Sequence, residues 1–153
     1  MLKSTSNRKF SLDKINFNRL LNFNPLDIGL EKHKKQNSFI YNSKGFDMIY
    51  WKIKPKIIIR IIKTNDCLKI QLENNNISGI GDLSKLIRID IETFITGTSD
   101  YCLINRSIKL EVYNERGFLK LIPDYLIQNL LKEALAIVSN RFDKKLSNKI
   151  KNI

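Results

Sequence analysis

The run from Pro123 to Ile150 constrains what the rest of this chain can be. Ile127, Leu131, Leu135, Val138, Phe142 and Leu146 recur at steps of four or three, which is one face of a 3.6-residue period. Leu130 and Ala134 widen that stripe, while Lys132, Glu133, Asn140 and Lys144 lie mostly away from it. Neither Gly nor Pro interrupts residues 124–150. Pro123 has a fixed φ and no N–H, so it suits a helix start. Asp124 matches the positive end of the helix dipole, and Lys144, Lys145, Lys149 and Lys151 match the negative end. A helix of this length spans roughly 40 Å at 1.5 Å per residue. It needs an apolar surface to cover. Just before it, Gly117 to Ile122 reads as a short apolar strand that stops at the proline.

The surface comes from segments that alternate apolar and polar residues. Phe39, Ile40 and Tyr41 precede the turn signal Asn42-Ser43-Lys44-Gly45. Ile49, Trp51 and Ile53 alternate with Tyr50, Lys52 and Lys54, and Pro55 breaks that ladder. Ile57 to Ile62 is almost wholly β-branched and predicts a strand covered on most of both faces. Leu68, Ile70 and Leu72, then Ile87, Ile89 and Ile91, then Ile108, Leu110 and Val112 give three more alternating strands. Gly79 and Gly81 sit two apart with no third glycine and no helix after them. They predict a kink or bulge in a curved sheet, not a dinucleotide fingerprint.

Strands in succession, followed by one helix and with no βαβ alternation, predict an α+β helix-grip: a curved antiparallel sheet of about six strands packed on a long C-terminal helix. Residues 1–12 are polar and basic and read as a flexible arm, leaving 13–153 as one domain. Asp13 is placed to cap a short helix that ends at Asn24-Pro25. Leu26, Ile28 and Leu30 alternate like a strand edge.

Composition sets further bounds. The chain has 153 residues, enough for a core. It has no apolar run of about 18 residues, so no transmembrane segment is expected. The N-terminus carries no apolar core of a secretory signal. Cys67 and Cys102 form no C-x-x-C pair and are expected as free thiols. The net charge of +12 invites a nucleic-acid reading, but its source weakens it. There are 20 Lys against 7 Arg, beside 24 Ile and 17 Asn. Lys, Ile and Asn share AT-rich codons, whereas Arg is the better bidentate phosphate ligand and is not enriched. The charge gathers between Glu31 and Lys63, where nine Lys or Arg face two acids.

Several of these segments resemble one family. They are Phe46-Asp-Met-Ile-Tyr-Trp-Lys-Ile-Lys-Pro55, the strand after it, the Ile77-Ser78-Gly79 step, and the tail Leu121-Ile-Pro-Asp-Tyr-Leu-Ile-Gln-Asn-Leu-Leu131 with Arg141-Phe142. Together they resemble the cyanobacterial and plastid domain-of-unknown-function family nineteen ninety-seven, over roughly residues 46–150. The resemblance implies a START-like or cyclase-like helix-grip fold and a photosynthetic setting. That setting is the stroma of a plastid whose genome encodes the protein, or a cyanobacterial cytoplasm. It implies no substrate. The N-terminal third and the ending Lys149-Ile-Lys-Asn-Ile153 depart from the family pattern.

Four functions follow as expectations. The first is a non-enzymatic binding or assembly factor whose cavity holds a lipid, isoprenoid or pigment-type ligand, or whose sheet docks a protein partner. Trp51, Leu131, Leu135, Val138 and Phe142 are the candidate walls, although such a stripe is core before it is cavity. The second is RNA or ribosome association through Lys52, Lys54, Lys56, Arg60 and Lys63. The third is an enzyme of unknown reaction. Asp47, Asp82, Asp90 and Glu92 are available, but no nucleophile–histidine pair or metal-ligand spacing exists, since the sole histidine, His33, lies among lysines. The enzyme reading is the weaker one, and no cofactor is expected. The fourth is peripheral contact with an anionic membrane through the Lys-rich end of the helix.

Overall fold

A computed structural model describes residues 2–48, 51–79, 81–113 and 120–153, apart from the side chains at 46, 48, 51, 74–77, 82 and 83. The strands are β1 (Lys3–Asp13), β2 (Glu31–Lys32), β3 (Ser38–Asn42), β4 (Phe46–Met48), β5 (Trp51–Ile53), β6 (Lys56–Lys63), β7 (Leu68–Ser78), β8 (Ile87–Gly97) and β9 (Tyr101–Val112). The α-helices are α1 (Phe17–Leu21) and α2 (Asp124–Lys151). Seven strands make one antiparallel sheet in the order β1-β9-β8-β7-β6-β3-β2, and β4 and β5 pair as a separate ribbon. The chain is an α+β helix-grip, with the long C-terminal helix on one face of a curved sheet.

Alternation in the sequence becomes the two faces of the sheet. In β8, Ile89, Ile91, Thr93 and Ile95 are buried, while Arg88, Asp90, Glu92 and Phe94 are exposed. In β9 the buried row is Cys102, Ile104, Arg106, Ile108, Leu110 and Val112. Ile127, Leu131, Ala134 and Leu135 of α2 pack with Ile89, Ile91, Ile108, Leu110 and Val112 to form one core cluster. Phe17, Leu20, Leu30, Ile61, Leu68, Ile95, Ile104 and Ile150 form a second. At about 1.5–3 kcal/mol per fully buried aliphatic or aromatic side chain, these two clusters are what hold helix to sheet.

The sheet bends where its ladders slip. Between β6 and β7 the register jumps from Ile59↔Leu72 to Ile57↔Ile77. Strands β7 and β8 pair only from Leu68↔Ile95 to Gln71↔Glu92, so the second half of β7 leaves β8. Gly79 ends β7 with φ +75°, and a Cβ there would lie 2.1 Å from the Lys54 carbonyl oxygen. Lys54 N–H donates to the Gly79 carbonyl at 3.0 Å. Only glycine permits that crossing.

The first third of the chain differs from its sequence reading. Residues 1–12 are not a loose arm: β1 pairs with β9 from Lys3↔Glu111 to Asp13↔Tyr101. Its inward residues are Ser6, Arg8, Phe10 and Leu12, too polar a set to show as a strand by hydropathy alone. With β1 added, the main sheet has seven strands where about six were expected. Asp13 closes β1, and Asn16 caps α1 instead, accepting from the N–H groups of Asn18 and Arg19. Leu26, Ile28 and Leu30 are not an alternating strand. Pro25–Ile28 is a 3-10 turn that Asn24 caps and Gly29 ends at φ +88°.

The described part of the strand expected before Pro123 is not a strand. Lys120 and Leu121 lie in a 3-10 turn, and residues 117–119 lie outside the described residues. Pro123 itself is the N-cap of α2, with its carbonyl accepting from Leu126 and Ile127. Strand β6 is covered less completely than its β-branched run suggests, since only Ile61 is fully buried. Its inward residues Ile57, Ile59 and Ile61 border a cavity and not packed side chains alone.

Candidate functional site

Helix α2 lies close to one side of the sheet and stands off the other. The close side is β1 and β9, and a buried ion pair fixes it. Arg106 of β9 donates from Nε to Asp143 Oδ1 at 2.7 Å and from Nη2 to Oδ2 at 2.8 Å. Its Nη1 donates to the Ser6 carbonyl at 2.8 Å and to Ser6 Oγ at 2.7 Å. Arg8 adds a bond from Nη1 to Asp143 Oδ2 at 2.9 Å. Burial pushes the Asp143 carboxyl up, but the Arg106 and Arg8 hydrogen bonds outweigh it and hold it below its ordinary value. The guanidinium fork is a bidentate match for the carboxylate, so the pair sets both the distance and the roll of the helix.

On the other side, the second half of α2 spans a cavity of about 210 Å³. The sheet contributes Ile57, Ile59 and Ile61 from β6, Ile70 from β7, and Ile87, Ile89 and Ile91 from β8. Leu20, Phe23, Ile28 and Leu30, with Ile53 and Pro55, complete the apolar lining. Val138, Phe142, Leu146 and Ile150 face it from the helix. The cavity lies beside the register slip at Ile57 and the parting of β7 from β8, irregularities of the kind that bend a sheet.

A few polar groups interrupt this lining. Tyr41 and Ser43 come from the end of β3 and the turn after it, and Arg141, Lys145 and Lys149 come from α2. Burial pushes the Tyr41 hydroxyl up, opposed by the Arg141 charge and by a hydrogen bond shared with Ser43. The Lys149 ammonium donates to the Ile28 carbonyl and so ties the helix end to the turn before Gly29.

The candidate wall residues divide. Val138 and Phe142 line the cavity. Leu131 and Leu135 sit two turns and one turn before Val138, buried in the core cluster against the sheet, and are not part of the lining. Trp51 lies in β5, two residues before the lining residue Ile53, and its side chain is outside the described residues. Tyr41, Ser43, Arg141 and Lys145 were absent from the sequence-based wall. Their signal was present in part: 141, 145 and 149 step by four along the flank of the apolar stripe.

The five basic residues are exposed but are not drawn into one stripe. Lys52 belongs to the β4–β5 ribbon, Lys54 lies between the two sheets, and Lys56 and Arg60 share the outer face of β6. Lys63 turns back over the Phe23 ring at 4.5 Å and donates to the Phe23 carbonyl at 2.6 Å. Asp47, Asp90 and Glu92 are exposed, and the Asp82 side chain is outside the described residues. Both thiols are free, Cys102 fully buried and Cys67 partly so. Among the described residues no His, Cys, Asp and Glu cluster has the makings of a metal site. No described helix is long and apolar enough to cross a membrane.

No family model and no curated protein sequence matches the chain. Solved structures do match it in shape. A conserved protein from Geobacillus kaustophilus superposes with TM-score 0.56 at 16% identity, covering 97% of this chain and 96% of that one. The Zhui aromatase/cyclase from a Streptomyces species gives TM-score 0.52 at 8% identity, over 96% of this chain and 92% of that one. A START superfamily protein from Mycobacterium smegmatis aligns over 97% of both chains with TM-score 0.45 and 8% identity. At such identities the likeness speaks to the fold alone, a helix-grip of sheet and long C-terminal helix.

Proposed function

We propose that this protein is a non-enzymatic binding or assembly factor that holds a small apolar molecule between α2 and the sheet. One observation carries the reading: the cavity is walled by isoleucine, leucine, valine and phenylalanine side chains, with polar groups confined to a few positions. Ligand sites have this composition, an apolar majority with few polar anchors. Its size narrows the choice. About 210 Å³ is below the roughly 300–1,000 Å³ of sites for drug-sized ligands, so a slender lipid or short isoprenoid suits it better than a broad pigment precursor. The resemblance of residues 46–150 to the cyanobacterial and plastid family of unknown function supports placing that role in a plastid or a cyanobacterial cell.

The test is a titration with the neutral apolar fluorophore N-phenylnaphthylamine, alongside native mass spectrometry of protein purified from its own cell. The expected result is saturable fluorescence enhancement and a retained apolar molecule. Val138→Phe, which fills the cavity from the helix side, abolishes both without lowering Tm. If the wild-type protein neither enhances the dye nor retains a molecule, the binding role is wrong.

A further inference from the structure

We infer that one end of the molecule, where α1, the 3-10 turn Pro25–Ile28 and the last turns of α2 meet, docks on a bilayer that contains anionic phospholipid. The docking does not depend on the binding role proposed above. It deepens that role, because the cavity reaches the same place.

Leu20 of α1, Ile28 of the turn, Ile150 of α2 and Ile153 just after it all line the cavity. The Lys149 ammonium fastens α2 to the turn through the Ile28 carbonyl. A second concavity, of about 290 Å³, shares Leu20, Ile150 and Ile153 with the first and adds the cations Lys14, Arg19 and Lys151. No acid is among the described residues that line either space. All three cations are exposed, and their side chains make no hydrogen bond or ion pair among the described residues. On the turn itself Leu26 is 48% exposed, three residues after the half-buried Phe23.

The charge here is lopsided. Residues 13–30 and 144–153 carry six Lys or Arg against two acids, Asp13 and Asp27, both exposed. Two further acids, Asp66 and Asp100, sit on the turns that follow β6 and β8. Uncommitted cations around an apolar edge suit a lipid surface better than other anionic partners. Each Lys or Arg near an anionic leaflet tightens attachment about fivefold, and an exposed leucine gains by entering the boundary between headgroups and acyl chains. A nucleic acid answers only the cations and is best held by arginine, of which these segments have one. With this end on the bilayer, Leu20, Ile150 and Ile153 stand between the lipid and the cavity.

The experiment is sedimentation of the full chain with phosphatidylcholine vesicles made with and without phosphatidylglycerol, at low and high salt. The protein is expected to partition onto the phosphatidylglycerol vesicles, to leave them as salt rises, and to ignore the neutral ones. Lys14→Gln, Arg19→Gln and Lys151→Gln combined should weaken partition about a hundredfold without lowering Tm. Lys3→Gln, Lys56→Gln and Lys132→Gln combined, an equal loss of charge at exposed positions off both concavities, should weaken it less than about tenfold. Leu26→Trp should shift its emission to the blue on adding anionic vesicles, a readout of insertion that does not rest on affinity. Failure to partition, equal weakening in the two triple variants, or no blue shift overturns the inference. So does retention of an RNA oligonucleotide by a protein that ignores anionic vesicles, since the partner is then a nucleic acid. Vesicle binding without dye binding removes the binding role and leaves the docking; dye binding without vesicle binding does the reverse.

Discussion

Arg106 is the one charged residue in the inward row of β9, and its cost is met only while Asp143 opposes it. Removing one partner of such a pair leaves an uncompensated buried charge, which typically costs about 3–5 kcal/mol. Asp143→Asn should therefore lower unfolding free energy by about that much at pH 7, measured by urea denaturation. The sign of the pH effect follows from the depressed Asp143 pKa. The stabilisation is fully present above the unfolded value near 3.8 and is lost as pH falls through the lower folded value. The wild-type advantage over Asp143→Asn should thus shrink below about pH 4. A double variant, Arg106→Met with Asp143→Leu, should recover most of the loss, because the desolvation cost goes with the charges. A smaller effect is expected one turn away. Ser139 Oγ is buried with no hydrogen-bond partner among the described residues, and Ala is the better helix former. Ser139→Ala should raise stability by about 1 kcal/mol.

At the scale of elements, α2 has two halves with different work. Leu131 is 4% exposed and packed on the sheet, so Leu131→Ala should cost about 2–5 kcal/mol. Val138 borders open space, and Val138→Ala should cost distinctly less while enlarging the cavity; thermal melts of the two variants check the contrast. Gly79→Ala should cost more than its exposed position suggests, about 1–3 kcal/mol, because its φ is positive and its Cβ would meet the Lys54 carbonyl. The elements carried by hydrophobic period were legible in the sequence: α2, β6, β8, β9 and the first half of β7. Those carried by hydrogen bonding were not. Strand β1 has Ser6 and Arg8 in its inward row, which reads as a polar arm until Arg106 and Asp143 are known to meet them. The 3-10 turn at Pro25 depends on an asparagine side chain and a left-handed glycine, which outrank a weak alternation of Leu26, Ile28 and Leu30. The cavity was legible only as a consequence of the fold. Which residues line it depends on where the β6–β7 ladder slips, and that slip leaves no periodic signal.

For the molecule as a whole, sheet and helix are mutually dependent. A chain ending at Ile122 would expose the inward faces of β8 and β9 and should fail to show a cooperative melt; a retained sharp transition would contradict the helix-grip account. The pairing of β1 with β9 has a further consequence, for the order in which the protein can be built. A ribosome releases β1 before the other strands of this sheet, yet its partner strand among the described residues spans Tyr101–Val112, about a hundred residues later. The carboxylate that neutralises Arg8 and Arg106 comes later still, at Asp143. Strand β1 therefore leaves the exit tunnel with a row of unmatched backbone donors and acceptors, and it waits until β9 has followed. Closing so long a loop is slow, and refolding on the scale of milliseconds to seconds is expected rather than microseconds. Lys3, Arg8 and Lys9 place positive charge on β1, the kind of edge that disfavours pairing between one chain and the next. The positive charge of this edge strand would matter most while the strand is still unpaired.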